Sequence, residues 1–336
     1  MKNSILKLLA AIFSTVTLAG CHTDDNEPLP ETKIELSIDS LNSITTNIPF
    51  ADYSDLAFVD QNTGYAIANS GKIIKTSDGG NNWVDISIPN SELFLKKIQF
   101  TDANNGFIIG QDNIGCYLIK TANAGHSWSV INLNIAPEKS MNGMFFLNKQ
   151  NGFITGDKFF IKTIDSGLTW TNVLNEDIKF TFNDINFQNT QTGIVTTNIG
   201  RIYKTTNSGD SWNFIEVIDN LVLQEVYFVD SKTYIKSGNK LIEINFNTSK
   251  TIPNGINKLL FLNSKNCIGI GQHYNDTGYL PYGDIFLTND FWNTSLQKTY
   301  DPQLALNFRA IAKMNDHNAL MIGNGHLYNT VIRISY

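Results

Sequence analysis

The sequence predicts an all-β fold of repeated sheets, and three observations lead to this prediction. A short turn phrase ending in tryptophan recurs, with its tryptophans 45, 42, 42 and then 80 residues apart. The runs between these phrases are apolar, of strand length, and bounded by Gly, Asn or Asp. No segment of helical period and useful length follows residue 30. A period of about 42 residues is the blade length of a β-propeller, and the longest gap is two periods with one tryptophan missing.

The turn phrase itself is interpreted as structural. It combines an Asp or Asn, a Gly two residues later and a Trp three residues after that. The Asp or Asn side chain accepts hydrogen bonds from backbone N–H groups in a tight turn, Gly supplies a positive φ, and Trp packs over the hairpin. We therefore expect no catalytic residue at these positions, which are Asp78, Gly80 and Trp83; Asn123, Gly125 and Trp128; Asp165, Gly167 and Trp170; Asn207, Gly209 and Trp212; and Trp292 in a degraded fifth phrase.

The strand pattern predicts seven repeats. The first has strands at 56–60, 64–68 and 71–76 before its turn phrase, and equivalent openings stand at 98–102, 144–148, 185–189, 226–230, 259–263 and 309–315. The fifth repeat has lost its turn phrase, and the seventh reaches the C-terminus after three strands. Residues 33–38 alternate polar and apolar and are the predicted fourth strand of the last blade. Borrowing that strand would close a seven-bladed β-propeller over residues 33–336.

The N-terminus has the features of a bacterial export signal. Lys2 and Lys7 precede an apolar run that is too short for a comfortable membrane span and ends in Leu-Ala-Gly-Cys. This ending resembles the lipobox of bacterial lipoproteins, which implies a signal peptide over residues 1–20 and lipidation of Cys21. Residues 21–32 are acidic and contain two prolines, as expected of a flexible tether.

The cluster of acidic residues behind Cys21 has two interpretations. It resembles the surface-export signal of lipoproteins in the Bacteroidetes group, which would place the domain outside the cell; a merely soluble linker is the alternative. Both interpretations predict an exported lipoprotein of the outer membrane that is held on the membrane by its acyl chains.

The longer repeat unit, with Phe-x-Asp, Gly-aromatic and Lys-Thr-x-Asp-x-Gly-x-x-Trp, resembles Asp-box or bacterial neuraminidase repeats. From Leu56 to the C-terminus it is most similar to the seven-bladed propellers of the photosystem II assembly factor family. The resemblance implies that the box turns lie on the outer edge, away from the face where ligands bind. Sialidases, xyloglucanases and sortilins also carry such boxes, so the resemblance indicates fold more than function. The family's binding face is expected to be rich in arginine, whereas this chain has three arginines, so the photosystem partner is not carried over.

Composition excludes several functions. Without residues 1–20 the chain keeps 23 basic and 31 acidic residues, a net charge of −8, and nucleic acid is therefore not a predicted partner. The histidines are scattered without metal-ligand spacing, and the Gly-x-Gly segments have no following helix, so neither a metal nor a cofactor is predicted. Cys116 and Cys267 fall in blades that are not neighbours and are expected to be buried free thiols.

Blade six carries the outstanding loop, residues 272–283, where the corresponding loop of blade one has barely two residues. Insertions on one face of a repeat array are where function is added, so this loop is the predicted recognition site. The alternative is that its tyrosines merely pack on the neighbouring blade. Two inter-blade linkers add aromatic groups that are expected on the same face. The candidate binding residues are His273, Tyr274, Asp276, Tyr279, Tyr282, Phe180, Phe182 and Tyr300.

These features predict a lipid-anchored, extracytoplasmic propeller that binds or assembles a protein partner without catalysis. The alternative is a glycan-binding protein or glycosidase that uses carboxylates on the loop face. Such an enzyme needs two carboxylates about 5 to 10 Å apart across a cleft. The carboxylates that lie off the box positions are Asp157, Asp177, Asp184, Asp276, Asp284 and Asp301.

Overall fold

Seven antiparallel sheets of four strands each are present in the computed structural model, which describes residues 34–174, 178–218, 221–244, 248–274, 280–301, 305 and 307–336. A short 3-10 turn, Ile38–Ser40, precedes β1 (Leu41–Ile44). Blades one to three are formed by β2 (Tyr53–Phe58), β3 (Gly64–Ala68), β4 (Ile73–Thr76) and β5 (Val84–Asp85); β6 (Phe94–Phe100), β7 (Gly106–Gln111), β8 (Cys116–Thr121) and β9 (Ser129–Asn132); and β10 (Met141–Phe146), β11 (Gly152–Gly156), β12 (Phe159–Thr163) and β13 (Thr171–Asn172).

The remaining four blades follow the same order. They are formed by β14 (Phe182–Phe187), β15 (Gly193–Thr197), β16 (Arg201–Thr205) and β17 (Asn213–Val217); β18 (Glu225–Val229), β19 (Lys232–Ser237), β20 (Lys240–Glu243) and β21 (Thr248–Thr251); β22 (Ile256–Phe261), β23 (Cys267–Tyr274), β24 (Pro281–Thr288) and β25 (Leu296–Tyr300); and β26 (Asn307–Lys313), β27 (Asn318–Asn324) and β28 (Thr330–Ser335) together with β1. The predicted all-β, seven-bladed propeller is confirmed. No helix within these described residues is long and apolar enough to cross a membrane.

An N-terminal strand completes blade seven, but it is not the predicted one. β1 pairs with β28 from Leu41 opposite Ile334 to Ile44 opposite Val331, whereas the predicted strand was 33–38. The backbone N–H and C=O of Leu36 instead bond to the side-chain amide of Asn289, at 2.8 and 2.7 Å. Leu36 is buried against blades six and seven. The alternation of residues 34–38 therefore reflects packing on one side, while a side chain satisfies backbone groups that a strand partner would otherwise satisfy.

In blades one to four, a Phe at the end of the first strand packs on the Gly that opens the second strand of the same blade. In blade one a Cβ on Gly64 would lie 2.6 Å from the ring of Phe58, so the ring rests directly on the bare backbone of the next strand. The same pair recurs in the following blades as Phe100 with Gly106, Phe146 with Gly152, and Phe187 with Gly193. Such close approach requires glycine, which explains the Gly that opens the second strand of these four blades.

Candidate functional site

The box turns are hydrogen-bonded hairpins between the third and fourth strands of a blade. In blade one the Asp78 carboxylate accepts the backbone N–H of Asn82 at 2.8 Å and its side-chain amide at 2.7 Å. The Trp83 indole N–H donates to the carbonyl of Gly80 at 3.0 Å. In blade three the hydroxyl and backbone N–H of Thr169 lower the pKa of Asp165 to about 2. These carboxylates are engaged as turn acceptors and have the geometry expected of structural residues.

The sequence analysis quoted the threonine that opens each box as part of the repeat unit but assigned it no role. The Thr76 hydroxyl accepts the N–H of Gly80 at 2.9 Å and donates to the Asp78 carboxylate at 2.9 Å. Equivalent bonds are made by Thr121, Thr163, Thr205 and Thr288, all of them buried. The signal was present, because each of these threonines stands two residues before the Asp or Asn of its box.

Trp292 does not occupy the position of the other tryptophans, so the predicted alignment of the fifth phrase is wrong. Its backbone N–H donates to Thr288, as the N–H of Gly80 donates to Thr76. Phe291 and Trp292 both have positive φ, 54° and 64°, where the other boxes use Gly or a small residue. The turn survives because Asp290 still accepts the N–H of Thr294 at 2.9 Å.

The boxes of blades one to four also contact the preceding blade through packing and hydrogen bonds. A side chain of the preceding blade lies directly against the box glycine: Leu320 on Gly80, Leu118 on Gly167, and Phe153 on Gly209. A cation of the preceding blade then donates to a carbonyl of the box, through Lys75 to Ala124, Lys120 to Ser166, Lys162 to Gly209 and Arg333 to Gly79. Arg333, which lies in blade seven, makes its bond at 2.6 Å to blade one and repeats the contact at the closure of the ring.

The predicted recognition loop of blade six is mostly a β-hairpin. β23 and β24 pair as far as His273 opposite Tyr282 and Tyr274 opposite Pro281, so the predicted twelve-residue loop shrinks to the residues between the two strands. Asp276 and Tyr279 lie outside the described residues, as do Asp177 and Cys21. The rings of His273 and Tyr282 stack at 5.5 Å. The Tyr274 side chain is 60% exposed.

A buried carboxylate fixes the base of this hairpin. Asp284 is completely buried and accepts hydrogen bonds from the hydroxyl of Thr299 at 2.7 Å and from the amide of Gln297 at 3.0 Å. Its other oxygen is 2.5 Å from Nδ1 of His273. The Asp284 carboxylate therefore has hydrogen-bond partners on three sides. It also orients His273, which sequence analysis assigned to recognition.

Three predicted binding residues lie in the core. Phe180, Phe182 and Tyr300 are 8%, 0% and 6% exposed, so they cannot form the aromatic surface that was expected of them. Phe182 opens β14 and packs in the core between blades three and four with Phe180, whose ring lies under the guanidinium of Arg201 at 5.1 Å. The linkers were read as exposed because they contain polar residues, but their aromatic side chains turn inward at the start or end of a strand.

Charged side chains of the inner strands form a ring that the sequence analysis did not identify. The inner-strand position that Asp55 occupies in blade one borders a central cavity of about 290 Å³. In five blades this residue is charged, and we call these five the channel ring: Asp55, Lys97, Asp184, Glu225 and Lys258. At the equivalent positions of blades three and seven stand Gly143 and Ala310.

Two ion pairs of the channel ring each connect two blades that are separated by a blade with a small residue at the equivalent position. Lys97 binds Asp184 at 2.6 Å past blade three, and Lys258 binds Asp55 at 2.6 Å past blade seven. The second oxygen of each aspartate accepts a backbone N–H of the following blade, that of Ile98 or Val226. Burial alone would lower the pKa of Lys97, but the Asp184 carboxylate raises it above its ordinary value.

Glu225 is the fifth member of the channel ring and is bound to an uncharged partner. Its carboxylate accepts the hydroxyl of Tyr227, and this hydroxyl accepts the backbone N–H of Leu259 in blade six. Burial, followed by the nearby Asp184 carboxylate, raises the pKa of Glu225. Burial also raises the pKa of Tyr227, so both groups favour their neutral forms.

Three of the six carboxylates considered for a glycosidase have structural partners among the described residues. Asp184 is paired with Lys97, Asp284 holds the hairpin base, and Asp157 accepts the hydroxyl of Thr181 at 3.0 Å. Within the described part of the chain, no group of three His, Cys, Asp or Glu side chains is arranged to hold a metal ion. Cys116 and Cys267 are both buried, in blades two and six.

Comparison with known proteins agrees with this architecture. The family model for the photosynthesis system II assembly factor YCF48 matches residues 39–140. The photosystem II stability/assembly factor HCF136, chloroplastic, of Oryza sativa subsp. japonica is 29% identical over 136 residues, which are 38% of this chain and 32% of that protein. The chain thus spans about a third of the length of this relative.

Two further matches cover most of the chain. The photosystem II assembly lipoprotein Ycf48 of Synechococcus sp. (strain CC9902) is 22% identical over 254 residues, covering 72% of this chain and 71% of that protein. A solved structure of YCF48 bound to D1 peptide has a TM-score of 0.68 and 17% identity, covering 90% of this chain and 98% of the other. The chain is therefore an Asp-box, seven-bladed β-propeller that is similar in sequence and fold to the photosystem II assembly factors.

Proposed function

We propose that this protein is a lipid-anchored, extracytoplasmic propeller that binds a protein partner through the blade-six hairpin and catalyses no reaction. The observation that carries the proposal is the hairpin itself, whose two strands are each eight residues long. Its base is fixed by the buried Asp284, and Tyr274 extends into solvent near its tip. An aromatic side chain on a rigid support is typical of residues that contribute most to protein interfaces.

The comparisons support a protein partner and an anchor without identifying either. A similar structure was solved with a bound peptide, and a similar protein is described as an assembly lipoprotein. The photosystem partner is not proposed here, because the chain has three arginines and a net charge of −6. The engaged carboxylates of the central cavity favour binding over hydrolysis, since Asp55 and Asp184 each accept a lysine and a backbone N–H.

Site-specific crosslinking tests the position of the binding surface. We expect a photoreactive phenylalanine analogue at Tyr274, in the anchored protein in its native membrane, to give one major protein adduct upon irradiation. The matched control is the same analogue at Phe214, an aromatic residue on β17 that is 52% exposed. Equal crosslinking from both positions, or an adduct from Phe214 alone, would show that the hairpin is not the binding surface.

Replacement of Cys21 tests the anchor independently of the partner. Because acyl chains supply the proposed membrane affinity, Cys21→Ala is expected to move the protein from the membrane pellet to the soluble extracytoplasmic fraction. Metabolic labelling with an alkyne fatty acid should mark the parent chain and not the variant. A Cys116→Ala variant serves as the control for loss of a thiol. Retention of Cys21→Ala in the membrane after a high-salt wash contradicts lipid anchoring at this residue.

A further inference from the structure

A cavity lies where the inner strands of blades two to five begin, on the face that carries the blade-six hairpin. It has a volume of about 460 Å³ and borders the channel ring, with which it shares Lys97. We call it the mouth cavity. None of its described lining residues belongs to the hairpin or to a box turn. The polar side chains that line it are Lys96 and Lys97 on β6, Asn142 on β10, Asn183 on β14, and Gln224 directly before β18.

The mouth cavity offers a cation, although the chain as a whole is acidic. None of the described lining residues is an Asp or a Glu. Lys97 is paired with Asp184, which compensates its charge. Lys96 is half-buried, its ammonium donates to the carbonyl of Met141 at 3.0 Å, and it forms no ion pair with a described carboxylate. Lys96 is therefore the cation that a ligand in this cavity would meet.

A second cation stands behind the lining. Lys236 on β19 is buried, and its ammonium donates to the side-chain oxygen of Gln224 at 2.9 Å. That oxygen also accepts the backbone N–H of Gly238 at 3.0 Å, so the exposed Gln224 has its side-chain N–H groups to offer as donors. Burial lowers the pKa of both Lys96 and Lys236, and the Glu225 carboxyl only partly opposes this at Lys236. An anion beside them would stabilise both charged forms.

Bonds to the neighbouring blade hold the other polar side chains of the mouth cavity in place. Asn142 donates to the carbonyl of Phe182 at 3.1 Å, and Asn183 donates to the carbonyl of Leu223 at 2.7 Å. These bonds use the amide N–H groups, which leaves the half-buried side chains their oxygens as acceptors. A ligand would thus meet a cation, donors and acceptors that are already positioned.

We propose that the mouth cavity binds a small anion that also carries hydroxyl groups, such as a sugar acid or a sugar phosphate. Its carboxylate or phosphate accepts hydrogen bonds from Lys96 and Gln224, and its hydroxyls donate to Asn142 and Asn183. The volume falls within the range of small-molecule sites. The inference goes beyond the proposed protein-binding function and does not depend on it, because the hairpin contributes none of these groups.

A panel of small ligands separates the parts of this chemistry. It contains glucuronate, galacturonate, mannuronate and glucose 6-phosphate, with glucose and butyrate as ligands that lack the charge or the hydroxyls. Binding to the full chain in detergent is measured by calorimetry and saturation-transfer NMR. At least one anionic sugar is expected to bind about tenfold more tightly than glucose and butyrate, and the uronates against the phosphate show which anionic group is preferred. Raising the salt concentration to about 0.5 M should weaken this binding, because salt screens the lysine charges.

Gln224→Glu tests the charge of the site without removing a bond that supports the fold. The variant keeps an oxygen for Lys236 and Gly238 and adds a negative charge to the lining. It is expected to weaken binding of the anionic sugar at least about tenfold, with a melting temperature no lower than that of the parent.

Lys96→Met tests the cation itself and should weaken binding at least about tenfold, the effect of losing one hydrogen bond to a charged group, whereas Lys96→Arg should retain it. Lys120→Met is the matched control, because Lys120 also donates to a carbonyl of the next blade, that of Ser166 at 2.9 Å, but belongs to a box contact.

The proposal is overturned if no anionic sugar binds, if glucose or butyrate binds as tightly, if Lys96→Met and Gln224→Glu bind as the parent does, or if Lys120→Met loses binding to the same extent as Lys96→Met. Binding of a polyglutamate peptide that depends on Lys96, where the anionic sugars do not bind, would also overturn it.

Discussion

One position of the repeat decides the chemistry of the central cavity. Asp55 and its equivalents in the other inner strands are placed so that each lysine meets an aspartate two blades on, past a blade with a small residue. Buried ion pairs are favourable only when their remaining hydrogen-bonding capacity is used. Here the aspartates meet that condition through backbone N–H groups of the next blade. The channel ring therefore contributes to the register between blades.

Glu225 gives the channel ring a pH dependence of definite sign. Its pKa is raised in the folded protein, so folding favours the protonated carboxyl, and this contribution is lost as the pH rises through the folded-state pKa. Glu225→Gln cannot lose a proton. The free energy of unfolding of the variant, measured by urea titration, should therefore improve relative to the parent as the pH rises above about 4.

Glu92→Gln, at an exposed position, is the control for this comparison. A difference between Glu225→Gln and the parent that stays constant over the same pH range, or that falls as the pH rises, would contradict the assignment of Glu225 as a carboxyl favoured in its neutral form.

At the scale of elements, the box turn is a unit that needs its threonine as much as its aspartate. The Thr76 hydroxyl is the one group that bonds to both the Asp78 carboxylate and the N–H of Gly80. Sequence reasoning found Asp78, Gly80 and Trp83 because each has a known preference for turns or hairpins. It assigned no role to Thr76, since a threonine inside a β-strand is ordinary and only the hydrogen bonds reveal its second role.

Substitution of the box threonine tests this role. Thr76→Val keeps the branched shape and removes the hydroxyl, which leaves the buried N–H of Gly80 without its partner. The expected loss is about 1 to 3 kcal/mol in the free energy of unfolding, measured by urea titration. Thr248→Val is the matched control, because Thr248 is an exposed residue on β21 of the blade that has no box. Equal losses of stability in the two variants would show that the Thr76 hydroxyl has no special role in the box turn.

The blade-six hairpin shows where sequence reasoning about an element succeeds and fails. The length of the insertion was visible as an interruption of the repeat, and the insertion does extend two strands beyond those of other blades. The pairing of His273 with Tyr282 was not visible, because the turn residues between them match no short hairpin signal. Phe180, Phe182 and Tyr300 were misplaced because burial depends on contacts between blades, which a single repeat does not specify.

At the scale of the whole molecule, the closure of the ring unites both termini of the described chain. β1 adds the outer strand of blade seven, Leu36 packs against blades six and seven, and Arg333 bonds to the first box. The need for a borrowed strand followed from counting strands, whereas its position did not, because residues 33–38 alternate polar and apolar while the observed strand, Leu41–Ile44, does not. The side-chain amide of Asn289, which holds Leu36, decided between them.

This closed ring divides the molecule into an outer edge of box turns, which hold the blades together, and a loop face, which carries the hairpin of blade six. We propose that a protein partner binds at the loop face. Hydrogen exchange of the anchored protein with and without its crosslink-identified partner measures this most directly. Exchange is expected to become slower in residues 267–288 and to stay unchanged in the box at residues 77–83. Protection of the boxes with no change in the hairpin would contradict it.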